Sequence, residues 1–393
     1  MTLSVNLSAY AANGGSPLTY SAGTAYVNGD VVTSGGVQYK CKASTTGNAP
    51  PNSTYWVTIV EKTIGGVTRD YQSIASWIAA CPDLITNNQI WKGLIYKEGS
   101  GVTEWAASID LSNKNTITSA DNFIWLEPAS GQGFIDNVGV RTNALSYNNV
   151  NGVAINAGTA TVYGGDRCGL SFVRGLQLRG AFGISNSATN LNASQCIVDW
   201  GSPSASFAAE FGSLRAVNCA FRSAQSSGTF IAARGSAHHY TNCTFLGAGG
   251  TSSVFSAIYA NTITLKGNVF IGFSSVSTSG TYIVAANSTY NATDLAAFEW
   301  TGTGNITSLV AANQLENLVT PFDMRVKSGS GLVAGVRIQA ETDDYDISRY
   351  ARSTTTPTIG AWEFSGVTPP VTTTNYTSAI SRGMFTGIER GIV

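Results

Sequence analysis

Four short segments, SQCIVDW, VNCAFRS, TNCTFLG and KGNVFIG, align without gaps and place Val198, Phe221, Phe245 and Phe270 in one column, at steps of 23, 24 and 25 residues. Two earlier segments, RGLQLRG and NGVAINA, carry the column back to Leu178 and Ile155, at steps of 20 and 23. Each segment is a short alternating apolar run closed by Gly, Asn or Ser, the pattern of a brief strand with one face buried. A recurrence of this length leaves room for about three strands per repeat and no helix. The economical solution is an all-β chain wound as a parallel β-helix, each turn burying its inward face against the turns above and below.

The same alignment puts Cys196, Cys219 and Cys243 in one column. Stacked strands lie about 4.8 Å apart, so these thiols are read as a buried packing ladder rather than as disulfides or metal ligands. Composition agrees with a turn-rich β protein. Charged residues make up only 11% of the chain, against roughly 25% in an ordinary domain, and Ser, Thr, Asn and 43 glycines fill the surface positions instead. The formal charge is −1 and basic runs are lacking, so a nucleic-acid partner is not expected. The opening MTLSVNLSAY does not read as a secretory signal, and no apolar stretch is long enough to insert in a membrane. The Asn-x-Ser/Thr triplets at Asn242 and Asn305 are attributed to chance.

An open-ended repeat needs a cap. In DYQSIASWIAACP, the residues Tyr71, Ile74, Trp77, Ile78 and Cys81 fall on one helical face, with Asp70 as the expected N-cap and Pro82 as the stop. Further upstream, AYVNGDVVTSGGVQYKCKASTTGNAPPNSTYW holds a hairpin-type Asn28-Gly29 turn and predicts Val32 opposite Tyr39 around a small core.

These stretches carry two resemblances. DYQSIASWIAACPDLITNNQIWKG, together with NSTYNATD, TGTGNITSLVAANQLENLVTPFDMRVKSGSGLV and TPTIGAWEF, resembles a group of right-handed parallel β-helix proteins of tailed bacteriophages and their bacterial relatives, over roughly residues 62–364. In that group a Gly-Ala-aromatic-Glu motif closes the helix. The chain departs from the group near AETDDYDISRYARS, where Ser348 stands in place of a turn glycine. The upstream stretch resembles small chitin-binding-type carbohydrate-binding modules through Tyr26, Gly29, Asp30, Val32, Gly36, Tyr39, Lys40, Gly47, Pro50 and Trp56. Together they imply an attachment arm at 1–20, a carbohydrate-module-like β domain at 21–60, a linker and capping helix at 61–90, the β-helix at 91–365 and an extended tail at 366–393.

Such modules hold sugar with exposed aromatic faces, often just after the Tyr-Lys strand. Here that place reads Cys41, Lys42, Ala43, Ser44, Thr45, Thr46. Tyr39, Tyr55 and Trp56, with Arg215 and Arg222, are the candidate glycan contacts, yet a fold this small needs most of its aromatics for its core. A docking collar is therefore favoured over a sugar hook.

Glycosidic hydrolysis needs two carboxylates about 5 to 10 Å apart. The sparse acids of the middle turns offer Asp199 and Glu210, which with Arg215 could meet on one face; a plain surface charge pair is favoured. His238 and His239 are neighbours on a strand, point to opposite sides and make a poor joint metal site. Arg167, Arg174, Arg179, Arg215, Arg222 and Arg234 could line a groove for an anionic polysaccharide or face a neighbouring subunit, the latter being favoured. The run Glu341, Asp343, Asp344 and Asp346 could hold a cation but reads by default as a solvated loop. No cofactor is expected.

The resemblance implies a virion-located tail-spike- or fibre-like structural appendage, a homotrimer whose partners are other virion proteins and host-surface polysaccharide. A polysaccharide depolymerase spike and a capsid-bound fibre or decoration protein are the alternatives.

Overall fold

A computed structural model describes residues 17–97, 104–134, 143–166, 169–185, 189–200, 207–224, 226–235, 237–259, 262–278, 282–333, 345–348, 350–353 and 357–364, with Val5 and Asp136. Among them regular structure is almost all strand. Helix is confined to α1 (Ile74–Ala79) and to short 3-10 turns at Asn115–Ile117, Ala285–Asn287 and Ala311–Asn313.

Two long sheets dominate. The first runs in parallel through Trp56–Ile64, Gln89–Ile95, Ile124–Pro128, Ser171–Arg174, Thr189–Ser194, Phe207–Val217, Ser227–Gly235 and Thr251–Tyr259. The second runs in parallel through Ala154–Asp166, Gln177–Ser185, Ile197–Trp200, Ala220–Ser223, Thr244–Leu246, Val269–Ile271 and Ala292–Thr293. The chain alternates between them as it advances. Their facing sides share one apolar core, to which Leu126, Val173, Ala216 and Leu265 come from the first sheet and Leu178, Val198, Phe221 and Phe245 from the second.

The repeat alignment matches the register. Ile155 pairs with Leu178, Leu178 with Val198, Val198 with Phe221, Phe221 with Phe245 and Phe245 with Phe270. In-register stacking brings the rings face to face: Phe221 and Phe245 have centroids 4.8 Å apart, Phe245 and Phe270 4.9 Å. The thiols of Cys196, Cys219 and Cys243 are buried and free, and burial pushes those of Cys196 and Cys219 well above the ordinary value. Further along, asparagines take over the same column. Asn268 donates to Tyr240 O and accepts from the Cys243 amide, and Asn291 donates to Leu265 O and accepts from the Asn268 amide. Each buried carboxamide thus satisfies the backbone of its neighbouring strands.

One position before this column the backbone turns left-handed at six successive repeats: Gly175 (φ 64°), Gln195 (53°), Asn218 (53°), Asn242 (51°), Gly267 (62°) and Tyr290 (58°). Gly and Asn tolerate this conformation best, which accounts for Asn242 without any modification. Asn242→Gly should therefore leave the denaturation midpoint nearly unchanged, whereas Asn242→Val should cost about 1–2 kcal/mol, the penalty of a left-handed Cβ.

Helix α1 covers the ladder with Ile74, Trp77 and Ile78, all buried. Gly93 makes this possible, because a Cβ there would lie 2.7 Å from the Trp77 ring. The N-cap is Ser73, whose Oγ accepts from the Ser76 amide. Asp70, expected in that role, instead accepts from the amide and hydroxyl of Thr63. Pairing between Ile64 and Tyr71 holds the intervening turn back against the preceding strand, so the helix starts three residues later than expected.

The N-terminal module is continuous with the ladder. Val31–Ser34 and Val37–Cys41 form the expected hairpin, with Val32 opposite Tyr39. Trp56–Ile64 then pairs antiparallel with Val37–Cys41 on one side and parallel with Gln89–Ile95 on the other. An apolar cluster runs across that junction from Val31 through Val57, Ile59 and Ile90 to Phe123, Trp125 and Phe172. Lys42 Nζ donates to Asn88 Oδ1 at 3.1 Å, and Asn88 Nδ2 to Trp56 O at 3.0 Å.

The segment holding the Gly-Ala-Trp-Glu motif does not sit at an end of the ladder. It folds back as a strap over the outer face of the second sheet. Gly360 donates to Gly267 O, Ala361 to Thr244 Oγ1, Asn218 to Tyr345 O and Gln195 to Asp346 O. Ile347, Ile359, Ala361 and Trp362 bury the outward side chains of Ile197, Ala220, Leu246 and Val269. These outward positions are apolar and need a cover, which explains why the motif lies across the sheet. Asp346 closes the turn at Ser348 with hydrogen bonds, its Oδ1 accepting from the amides of Ser348 and Tyr350 and from Ser348 Oγ.

Within the strap, burial raises the Glu363 carboxyl above its ordinary value, against the opposing charge of Arg352. A raised carboxyl binds its proton more tightly folded than unfolded. Its contribution is complete below the ordinary glutamate value and is lost as pH rises through the folded value. Wild type should therefore lose stability relative to Glu363→Gln as pH increases across that interval, as read by denaturation midpoints at several pH values.

Candidate functional site

The outward side of the second sheet carries the one charged array among the described residues that follows the repeat. Arg179, Asp199 and Arg222 occupy successive strands in register, each one residue after the core column. Alternation along a strand turns Val198 inward and Asp199 outward. Asp199 is only 3% exposed. Its Oδ2 accepts from Arg179 Nη2 at 2.7 Å and Nε at 3.1 Å, and its Oδ1 from Arg222 Nη1 at 2.8 Å. Each guanidinium also lies on an aromatic face, Arg179 over Tyr147 and Arg222 over Phe322, both at 3.9 Å. Both oxygens of Asp199 are occupied by cations, and the group is held away from water. This fits a bracket binding three strands to the covering segments, and it leaves neither a general base nor a nucleophile open to substrate.

Asp199 therefore does not meet Glu210 and Arg215 as the sequence suggested. Glu210 and Arg215 belong to Phe207–Val217 in the first sheet, where Arg215 pairs with Asn192 and His239, while Asp199 belongs to the second. The Glu210 side chain lies outside the described residues. Asp199→Ala should cost about 2 kcal/mol, between the values for exposed and buried pairs because Arg179 is partly solvated. Chemical denaturation checks the cost.

The six arginines do not form one groove. Arg174 is 1% exposed and donates from Nε to Gln195 Oε1. Arg179 and Arg222 serve Asp199, and Arg215 is half-buried on the other sheet. Arg167 and the Arg234 side chain lie outside the described residues. Arg174 adjoins a buried ionic group in which Lys92 Nζ lies 2.9 Å from both Glu61 and Glu127 and over the Trp125 ring. His238 faces the core and His239 is half-buried, as the alternation of a strand requires. Of the acidic run, Glu341, Asp343 and Asp344 lie outside the described residues, and Asp346 is spent on the strap. No grouping of His, Cys, Asp or Glu fit for a metal ion occurs among the described residues, and no described helix is long and apolar enough to cross a membrane.

The module's aromatics are its core. Trp56 is 1% exposed and donates from Nε1 to Asn48 O at 2.7 Å. Tyr26 meets Trp56 edge-on at 5.3 Å, and Tyr20 stacks on Tyr26 at 5.5 Å. Tyr39 is buried in the same cluster, and Tyr55 is half-buried against it. Tyr39 and Trp56 thus present no free ring face and drop out as sugar platforms. A module with so few apolar residues cannot spend its rings on both a core and a ligand.

No family model, curated protein or solved structure matches the chain.

Proposed function

We propose that this chain is a non-catalytic structural appendage of a tailed bacteriophage, a homotrimeric spike or fibre built on a right-handed parallel β-helix. The observation that carries the reading is the strand Trp56–Ile64, which belongs at once to the small module and to the long parallel ladder. A sugar-binding module tethered to an enzyme is ordinarily a separate bead on a linker. This one is built into the same sheet, with its rings turned inward. It acts as a rigid collar that passes the load of the ladder to the virion.

Contact with host-surface polysaccharide then falls to the outer wall, rich in Ser, Thr and Asn, rather than to the module. Catalysis is disfavoured because Asp199 is held by Arg179 and Arg222. Purified chain mixed with surface polysaccharide from the host of the encoding phage should bind without releasing reducing ends. Release that is abolished by Asp199→Asn or Glu210→Gln would show a depolymerase instead.

A further inference from the structure

Lys40 is an unusual lysine. It sits in Val37–Cys41, is 0% exposed, and has its Nζ 2.8 Å from Asp121 Oδ1 and 3.3 Å from Asn28 Oδ1. Asn28 belongs to the turn that closes the module, between Ala25–Tyr26 and Val31–Ser34. Asp121 belongs to the ladder, just before Ile124–Pro128. A buried amine, a carboxamide and a carboxylate therefore converge where the module meets the ladder. Surface ion pairs do not need this arrangement, since a lysine on an outer wall can keep its amine in water.

We propose that Lys40 and Asn28 form an intramolecular amide, with Asp121 as the proton carrier. Nζ attacks Asn28 Cγ and passes a proton to the Asp121 carboxylate. Asp121 returns that proton to the carboxamide nitrogen, which leaves. A new C–N bond forms as the old one breaks. A lysine ammonium plus a carboxamide become a secondary amide plus an ammonium ion, with no oxidant and no external cofactor. Burial favours the neutral amine that must attack, lowering the Lys40 value against the opposing pull of Asp121. Asn28 is exposed at its turn, which gives its carboxamide room to present Cγ and lets ammonia escape. Since Asp121 comes from the ladder, the bond forms only after the module has docked. It locks the turn to the central strand of the collar. A load-bearing junction gains most from such a bond, because an amide does not open under force as a hydrogen bond does.

The test is the intact mass of the full-length chain, compared with Lys40→Arg, Asn28→Ala and Asp121→Ala chains so that processing elsewhere cancels. The wild type should be lighter than its sequence by one ammonia. Trypsin should fail to cut after Lys40, and fragmentation should yield no breaks between residues 28 and 40. The three variants should each show the full sequence mass, and Lys40→Arg, which keeps the charge facing Asp121, separates loss of the bond from loss of folding. Full mass with normal cleavage after Lys40 overturns the proposal, leaving an ion pair only. Loss of one water, which places the amide on Asp121, overturns it too. So does loss of ammonia with Lys40 still cleaved, which is cyclisation at Asn28-Gly29.

Discussion

Arg352→Ala should lower stability by about 3–5 kcal/mol, the range for removing one partner from a buried ionic contact. The guanidinium is almost wholly buried. Its Nη2 donates to Asn218 Oδ1 at 2.7 Å and to Gly360 O at 2.8 Å, and its Nη1 donates to Thr358 O at 3.1 Å and lies 3.5 Å from Glu363. It therefore ties both ends of the strap to the left-handed turn at Asn218. Truncation leaves the buried Glu363 carboxylate, which accepts from the amides of Ser353 and Thr358, without its guanidinium partner. Arg352→Lys keeps the charge but not the planar fork and should recover less than half of the loss. Hydrogen exchange gives the local readout, with the amides of Ile347, Ile359 and Gly360 losing protection before those of the ladder core. Unchanged protection at these amides would mean that the strap is held by its apolar contacts alone.

Phe245→Ala should cost about 3–5 kcal/mol, the range for emptying a buried aromatic site, with each lost ring stack adding up to about 1 kcal/mol. Phe245 stands in the middle of the column, between Phe221 and Phe270, and also meets Tyr240 and Phe255 from the first sheet at 5.6 and 5.8 Å. One ring thus joins neighbouring strands along the ladder and joins the two sheets across it. Phe245→Leu, which refills most of the volume, should cost roughly half as much. Because stability in a repeat array is a sum of units and their interfaces, the alanine variant should split the urea transition, with the strands on either side of Thr244–Leu246 losing protection first. A single shifted transition of unchanged steepness would mean that the whole ladder unfolds as one unit.

The ladder was legible because its register is written into spacing. Steps of 23 to 25 residues align the core column Val198, Phe221, Phe245, Phe270, and the structure pairs those residues strand for strand. The charged bracket is legible in the same alignment. Arg179, Asp199 and Arg222 each follow a core-column residue directly, so their common outward column could have been read from Leu178, Val198 and Phe221. Grouping Asp199 with Glu210 and Arg215 followed nearness in sequence, whereas a parallel ladder juxtaposes residues one repeat apart. The left-handed column was likewise visible in Gly175, Asn218, Asn242 and Gly267, with Gln195 and Tyr290 masking it by residue type.

The strap was not legible. Its contacts join Asp346 to Gln195 and Ala361 to Thr244, separations of more than a hundred residues, with no repeat to reveal them. The only hint was that Ile197, Ala220, Leu246 and Val269 are apolar on a face that an uncovered sheet would show to water. The module's rings are in short supply for a core, and Tyr26, Tyr39 and Trp56 are buried together in it. Residue type alone therefore does not distinguish Tyr39 and Trp56 as sugar contacts from core residues; their burial does.

The proposal that the chain is a tailed-phage appendage is tested most directly by cryo-electron microscopy of the particles released by the source of its gene. Three copies per appendage are expected, each ladder continuous with its own N-terminal module, and the module face rather than the strap face seated on the particle. A particle lacking the chain, or one that carries it by the strap face with the module hanging free on a linker, would contradict the claim.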